Sequence, residues 1–193
     1  MELALIRKVA NVMNKIPVIE TPRLRLRPLR MKDASDVFHY FARDEVTEYY
    51  DVESFTELEQ AEKLIQFWHD RFHNQQAVRW GITLRSQDRV IGTCGFHNWT
   101  QKHCKAEVGY ELSPEYWRQG IMAEALHAIM HFGYGGMALN RIAAIILPGN
   151  TGSRRLLEKM GFYEEGTLKE YYYKKASFRD AIIFSKLNAG KEA

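Results

Sequence analysis

The sequence predicts an α/β domain built around one central mixed sheet. Residues 78–112 are apolar at alternate positions in three successive segments, a pattern typical of an antiparallel meander. The rest of the chain reads as helices and strands in the overall order β-α-α-β-β-β-α-β-α-β-β. Because these elements follow one another without a linker or an internal repeat, we expect a single sheet that packs against helices.

The length and composition are those of a globular domain. The chain has 193 residues, of which 46% are hydrophobic and 26% charged, and a chain of this size can bury a core without metal or disulfide help. The net charge of +3 suits an anionic cofactor as well as RNA, so it selects neither. No apolar run reaches the ~20 residues that span a bilayer. We expect no membrane partner and no DNA partner.

Residues 1–16 are predicted to be an N-terminal extension of the domain at residues 17–193. The apolar residues of this segment fall at helical spacing, at Leu3, Ile6, Val9, Ala10 and Met13. Charged residues stand where a signal peptide would be apolar, and no small-residue cleavage site follows. We therefore expect the extension to dock on the domain or on a partner, and the protein to be cytoplasmic.

The first strand and two helices are predicted between residues 23 and 72. Arginines alternate with leucines at the start, which indicates a strand with one solvated face and leaves a phosphate or RNA contact as the alternative. These arginines are Arg23, Arg25, Arg27 and Arg30. Asp33 and Asp36 predict the start of one helix, and the pair Thr56 and Glu59 predicts a capping box for the next.

The meander is predicted at residues 78–84, 89–99 and 105–112. A polar turn at residues 86–88 joins the first two strands. Cys94 and Cys104 lie on or beside neighbouring strands, without the spacing of metal ligands. We interpret them as two thiols, and the geometry leaves a disulfide open.

The remaining elements are predicted beyond Pro114. Residues 120–139 have the length and apolar spacing of a helix, and residues 142–147 form a short strand that Pro148 stops. Residues 150–160 are predicted to be helical and closed by Gly161 as the C-cap. Strands near residues 166–173 and 178–187 complete the domain.

Residues 116–125 are the most informative segment for function. A strand ends, a short turn containing Gly120 follows, and a helix begins at once, so several backbone N–H groups face outward at the positive end of the helix dipole. A diphosphate is a natural ligand for such a site, and Arg118 adds charge. The alternative is a simple strand–helix turn. Neither a Walker loop nor a dinucleotide fingerprint is present.

The same residues resemble a known family. Residues 117–122, WRQGIM, are similar to the Q/R-x-x-G-x-G/A loop that binds the acyl-CoA pyrophosphate in GNAT acetyltransferases, in the form found in the RimJ/RimL branch. Met122 stands where a small residue is usual. Further motifs follow in the family's order at residues 106–110, 139–142, 150–153, 157–162 and 165–166, and Asp180 stands where an acid is frequent in the last strand. The resemblance spans residues 21–187.

The resemblance implies a splayed sheet with helices on both faces and acetyl-CoA as the acetyl donor, with no metal. The pantetheine arm would enter the gap between two strands, and the diphosphate would bind the loop. The implied cofactor-binding residues are Val108, Tyr110, Leu112, Arg118, Gln119, Gly120, Ile121, Met122, Ala123, Asn150 and Ser153.

Two residues are candidates for catalysis. Glu107 lies on the opposite strand face from Val108 and is the candidate base, with a solvent-facing strand residue as the alternative and Glu111 in reserve. Where many GNAT enzymes have a tyrosine that protonates the thiolate, this chain has Leu157. Ser153 resembles the RimL-type serine that hydrogen-bonds the leaving sulfur, and helix capping is its alternative role.

The acceptor is predicted to be an amine in an aromatic pocket. The pocket candidates are Tyr49, Tyr50, Trp80, Phe96, His97 and Trp99, each of which is alternatively a core residue. The resemblance favours the α-amine of a protein N-terminus, with a ribosomal protein as a possible partner. A small amine is the rival, with Glu45, Glu48 and Asp51 as a hint of a polycation, and a non-catalytic acyl-CoA sensor is the third hypothesis. The oligomeric state stays open between monomer and dimer.

Overall fold

An eight-stranded sheet is the centre of the molecule. The computed structural model describes residues 14–50, 52–174 and 176–190. The strands are β1 Ile19–Glu20, β2 Leu24–Pro28, β3 Val78–Leu84, β4 Val90–Thr100, β5 Lys105–Leu112, β6 Arg141–Ile146, β7 Tyr163–Lys174 and β8 Ser177–Leu187. The α-helices in the described residues are α1 Ala34–Phe41, α2 Asp44–Thr47, α3 Leu58–His73, α4 Ile121–Gly135 and α5 Thr151–Lys159. The strand order across the sheet is β1-β2-β3-β4-β5-β6-β8-β7.

The sheet is split between β5 and β6. Every other neighbouring pair is antiparallel, whereas β5 and β6 run parallel and pair only at Lys105–Arg141, Ala106–Ile142 and Glu107–Ala143. Beyond Glu107 the two strands separate, so the β5 backbone from Val108 onward has β4 on one side and no strand on the other. The splayed sheet that the resemblance implies is therefore present.

Helices cover both faces of this sheet. Helix α4 packs on the face that carries Trp80, Phe96 and Val108, and α5 adds Leu157 to the same core. Helices α1 and α3 cover the other face with a second apolar cluster that includes Phe41. The burial of both faces explains why β3 is buried at nearly every position instead of at alternate ones. The predicted fold class is confirmed.

Several predicted details differ from the structure. The short strand β1 and the single-turn helix α2 were not predicted. The capping interaction before α3 lies one residue later than expected: Gln60 accepts from the backbone N–H of Glu57 at 3.0 Å. The predicted solvated arginine face is wrong at Arg27, which is 1% exposed and bound to Asp33 and Asp88. Both cysteines are free thiols, as interpreted.

The predicted N-terminal extension is described only at its end. Residues 1–13 lie outside the described residues, and the division of the chain at residue 16 stays a prediction. Ile16 is buried with the main core, and the carbonyl of Pro17 accepts a hydrogen bond from Trp80 Nε1 at 2.8 Å. In the described residues, no helix is both long and apolar enough to cross a bilayer.

Candidate active site

The split between β5 and β6 has a closed end and an open end. At the closed end, Glu107 is the last β5 residue paired with β6. At the open end, β5 stops at Leu112 and the chain turns through residues 113–120 into α4. An extended molecule that pairs with the free edge of β5 therefore spans from the N-terminus of α4 to the neighbourhood of Glu107.

The turn into α4 has the geometry of an anion-binding loop. Arg118 has a φ of 59° and Gly120 a φ of 74°, so the backbone doubles back immediately before the helix. Trp117 Nε1 donates to the carbonyl of Leu112 at 2.7 Å, and the side chain of Gln119 donates to the carbonyl of Glu115 at 2.8 Å. The first N–H groups of α4 have no acceptor within their own helix. They are free to bind an oxyanion.

Arg23 fixes this loop to the edge of the sheet. Its guanidinium donates to the carbonyl of Gln119 at 3.0 Å and to the carboxylate of Glu124 at 2.6 Å. The same carboxylate accepts from the hydroxyl of Thr21 at 2.5 Å and the backbone N–H of Arg23. Arg23 is thus partly neutralised, and its role in the structure is to hold the loop.

The predicted loop residues fall into two groups. Arg118, Gln119 and Gly120 are exposed, and Ala123 is half-buried. Ile121 and Met122 are buried at 3% and 8% exposure, so only their backbone faces the anion site. The side chain of Met122, which stands where a small residue is usual, therefore packs in the core.

Across the gap, the N-terminus of α5 carries the second group of predicted residues. Asn150 is the N-cap: its Oδ1 accepts from the backbone N–H of Ser153 at 3.0 Å. The capping role that sequence reasoning left open for Ser153 thus belongs to Asn150. The half-buried hydroxyl of Ser153 lies instead beside that of Tyr110, whose ring reaches over from β5.

The face of the sheet under α1 and α3 carries Glu107. It pairs with His97 of β4, and its Oε2 lies 3.4 Å from Nε2 of the imidazole. Contact with His97 lowers the pKa of Glu107, against the opposing effect of burial and with a further contribution from Asn98. The side chain of Glu107 keeps 25% exposure and that of His97 43%. A carboxylate at the closed end of the gap is therefore ionised and accessible.

Glu111, the reserve base, is committed elsewhere. Its carboxylate is almost fully buried, binds Arg79 and accepts from the hydroxyl of Thr93. Burial disfavours the charged form of Arg79 and so lowers its pKa. The adjacent carboxylate of Glu111 outweighs this effect and raises the pKa of Arg79 above its ordinary value. The guanidinium also lies 5.0 Å from the ring centroid of Trp68. Both carboxylate oxygens of Glu111 are therefore occupied by protein partners.

The course of the Arg79 side chain explains why positions 95 and 109 are occupied by glycine. A Cβ on Gly95 would lie 3.0 Å from Cδ of Arg79 and closer still to the β3 backbone, and one on Gly109 would lie 3.1 Å from Nη1. The same Cβ on Gly109 would lie 3.3 Å from Cε1 of His97. The Arg79 side chain thus passes over Gly95 and Gly109, where a larger residue would collide with it, to reach Glu111. His97 also lies over Gly109, next to Arg79.

One border of the gap is formed by the chain after α2. Lys174 of β7 donates to the carbonyls of Thr47 at 2.9 Å, Glu48 at 3.0 Å and Tyr50. The ring of Tyr49 lies against Gly149 of the β6–α5 loop, 3.2 Å from where a Cβ would stand. The α2 segment is therefore fixed to the β7–β8 hairpin and reaches the α5 side of the gap.

The aromatic residues predicted to line the acceptor pocket differ in burial. Trp80 and Phe96 are 0% and 1% exposed in the core under α4, so their predicted place in an acceptor pocket is wrong. Trp99 is also buried, at 7% exposure. Tyr49, against Gly149, and His97, against Glu107, border the gap and retain accessible surface. Tyr50 is half-buried and packs on Phe41 in the second apolar cluster. Asp51 lies outside the described residues.

Sequence reasoning missed Arg79 and Lys174. Arg79 alternates with apolar residues as a solvent-facing position would, and Lys174 acts through backbone carbonyls that leave no sequence signal. The glycines of neighbouring strands were the available sign for Arg79, since a strand glycine often marks a close approach. Among the described residues, no cluster of three or more metal-ligating side chains is found.

The gap fits an extended thioester with an anionic end. Its free strand edge offers backbone N–H and C=O groups to the amides of a pantetheine arm, and Gly120 leaves room for a diphosphate, since a Cβ there would have only Arg23 Nη2 nearby, at 3.5 Å. A fold with this gap and this loop defines the class of acyl-CoA-dependent transferases.

Comparison with known proteins narrows this class. Residues 23–163 match the acetyltransferase (GNAT) domain. The chain belongs to the GNAT acetyltransferase family and is an acetyl-CoA-dependent N-acetyltransferase.

Relatives and solved structures agree with this assignment. The chain is 41% identical over 169 residues to "Uncharacterized N-acetyltransferase YoaA" of Bacillus subtilis, with 88% of this chain and 96% of the relative covered. It is 29% identical over 116 residues to the [ribosomal protein uS5]-alanine N-acetyltransferase of Escherichia coli, covering 59% and 60%. The crystal structure of ribosomal-protein-S5-alanine acetyltransferase from Vibrio fischeri superposes with a TM-score of 0.79 at 25% identity, covering 92% and 100%.

Proposed function

We propose that this enzyme acetylates the α-amine of a protein N-terminus. The observation that carries the proposal is the position of Glu107: an ionised carboxylate, paired with His97, at the closed end of the gap where the free edge of β5 begins. The similarity to two ribosomal-protein alanine acetyltransferases supports a protein acceptor.

The strength of the base favours an α-amine over a lysine side chain. The pKa of Glu107 is lowered by His97, so the carboxylate is a weak proton acceptor. A protein α-amine has a pKa of about 8 and is partly neutral at pH 7, whereas a lysine amine near 10.4 is almost wholly protonated. A weak carboxylate base can accept the proton of an attacking α-amine, while lysine would need stronger help.

The residues divide the work between the two faces of the sheet. The amine approaches from the α1–α3 face, where Glu107, in contact with His97, receives its proton. The loop at Gly120 and the free edge of β5 hold the donor in an extended conformation. Acetyl-CoA supplies the activated acetyl thioester. Asn150 holds the N-terminus of α5 by its Oδ1, which leaves its amide N–H₂ to face the pantetheine arm.

An acceptor panel tests the proposal. Short peptides that begin with Ala, Ser or Thr, including ribosomal-protein N-termini, are incubated with acetyl-CoA beside the same peptides with a blocked N-terminus and an internal lysine. Polyamines and aminoglycosides complete the panel. We expect one acetyl group on the free α-amine, located by tandem mass spectrometry, and no product from the blocked peptides. Turnover confined to lysine or small amines contradicts the proposed acceptor, and an absence of turnover on every amine favours an acyl-CoA sensor.

A further inference from the structure

The hydroxyl of Tyr110 is a buried polar group without a hydrogen bond. Among the described residues, its Oη completes no hydrogen bond, although the Ser153 hydroxyl lies nearby. A buried polar group without a partner destabilises the fold because it has lost its hydrogen bonds to water, so its position requires a reason. The ring packs against the α4 core, and phenylalanine would fill the same space without that cost.

The hydroxyl of Tyr110 lies between β5 and α5. Tyr110 starts from the part of β5 that has no β6 partner, and its hydroxyl is a neighbour of the Ser153 side chain on α5. Because α5 follows β6, the two residues approach each other from opposite sides of the gap. They do so on the α4 face of the sheet, opposite to Glu107 and His97.

We propose that the Tyr110 hydroxyl donates a hydrogen bond to the leaving sulfur of the coenzyme A thioester, with Ser153 orienting it. In the transfer, the amine nitrogen bonds to the acetyl carbon as the C–S bond breaks. The electron pair of that bond goes to sulfur, and the amine proton goes to Glu107 or to water. A donor aimed at the sulfur stabilises the charge that develops there.

Tyr110 is suited to donate a hydrogen bond and unsuited to give up its proton. Burial raises the pKa of Tyr110 to about 12, and the neighbouring Ser153 hydroxyl opposes this rise. A thiolate whose conjugate acid has a pKa of about 8.5 cannot take a proton from such a phenol to a useful extent. The phenol therefore remains a donor throughout the cycle, and the released thiolate acquires its proton from water. In the part of the chain that the structure describes, no charged side chain contributes to the pKa of Tyr110, and the Ser153 hydroxyl is the polar neighbour that does.

The inference deepens the proposed acetyl transfer and rests on it only for the use of a coenzyme A thioester. The kinetic test runs on whichever amine the acceptor panel shows to be a substrate. A wrong acceptor and a wrong role for Tyr110 are therefore distinguished.

The first experiment compares Tyr110→Phe with Tyr134→Phe. Tyr134 is the matched control because burial also raises its pKa to about 12, but its hydroxyl donates to the carbonyl of Lys186 at 3.3 Å, away from the gap. We expect Tyr110→Phe to lower kcat by about 100-fold, with acetyl-CoA affinity within twofold of the wild type and an equal or higher Tm. Tyr134→Phe should leave kcat unchanged. A kcat of Tyr110→Phe within twofold of the wild type would overturn the inference.

The second experiment needs no turnover. Calorimetry measures the affinity of the wild-type protein for coenzyme A and for desulfo-coenzyme A at pH 7 and pH 9.5. A donor to sulfur lowers the pKa of the bound thiol, so affinity for coenzyme A should rise with pH relative to the desulfo compound. Tyr110→Phe should reduce that rise. An equal pH dependence for the two ligands in the wild type contradicts the proposal, even if the variant fails to fold.

Discussion

The carboxylate of Glu107 and the imidazole of His97 face each other across the β4–β5 ladder, with Oε2 3.4 Å from Nε2. This contact lies at the last residue before β5 and β6 separate. The contact therefore places an ionised carboxylate at the point where the sheet opens.

Replacing Glu107 with glutamine should slow catalysis without weakening acetyl-CoA binding. The amide keeps the shape of the side chain but cannot accept a proton, and general-base help is typically worth about 100- to 10,000-fold. The rate should recover partly as pH rises towards the pKa of the amine, because more of the acceptor is then already neutral. Steady-state kinetics between pH 6 and pH 9.5 with calorimetry for acetyl-CoA measure both effects. Near-normal turnover at neutral pH would remove Glu107 from the mechanism.

The Glu107–His97 contact should also appear in the pH dependence of stability. The pKa of Glu107 is lower in the folded protein than its ordinary value, so the carboxylate stabilises the fold above the unfolded pKa of about 4.3, and this contribution is lost as pH falls through the folded pKa. The Tm of the wild type should exceed that of Glu107→Gln at pH 7, and the difference should shrink below pH 4.3. Scanning calorimetry of both proteins from pH 7 to pH 3 checks this. A constant difference would mean that the contact does not depend on the charge.

Glutamate at position 120 should abolish tight acetyl-CoA binding. It places a negative charge at the diphosphate site and a side chain at a φ of 74°, which costs about 1–2 kcal/mol for residues other than glycine. Gly135→Glu is the control, because a Cβ there meets nothing within 4 Å and the residue lies at the far end of α4. Calorimetry should show a large loss of affinity for Gly120→Glu only. Equal affinities in two folded variants would show that the loop does not hold the anion.

Breaking the Arg79–Glu111 pair should destabilise the protein strongly. Glu111→Leu leaves a buried guanidinium without its carboxylate, and loss of one partner of a buried pair typically costs about 3–5 kcal/mol. The double variant Arg79→Met with Glu111→Leu should recover much of this loss, since no buried charge remains. Urea unfolding of the three proteins measures the free energies. A single variant as stable as the wild type would mean that the pair is not buried in solution.

The local sequence pattern was sufficient to predict the structure where one residue determines the geometry. Alternation placed Glu107 and Val108 on opposite faces of β5, and Gly161, with a φ of 76°, ends α5 as predicted. The strand β5 begins and ends at the predicted residues, because a turn and a proline bound it.

The pattern failed where both faces of a strand are covered. Alternation cannot tell which covered face borders a cavity, so Trp80 and Phe96 were assigned to a pocket although both lie in the core. Arg79 followed the alternation of an exposed residue, yet α3 covers it and its charge is matched by Glu111. The approach of Tyr110 to Ser153 joins residues 43 positions apart, and no local spacing encodes it.

The three carbonyls bound by Lys174 bear on how acceptor preference can diverge among relatives. The lysine holds the backbone of residues 47–50 and makes these hydrogen bonds to main-chain oxygens. Substitutions at Glu48 or Tyr49 therefore change the side chains on this border of the gap while the anchor is retained. The segment is the natural place for mutational libraries that aim to redirect the enzyme to a new amine.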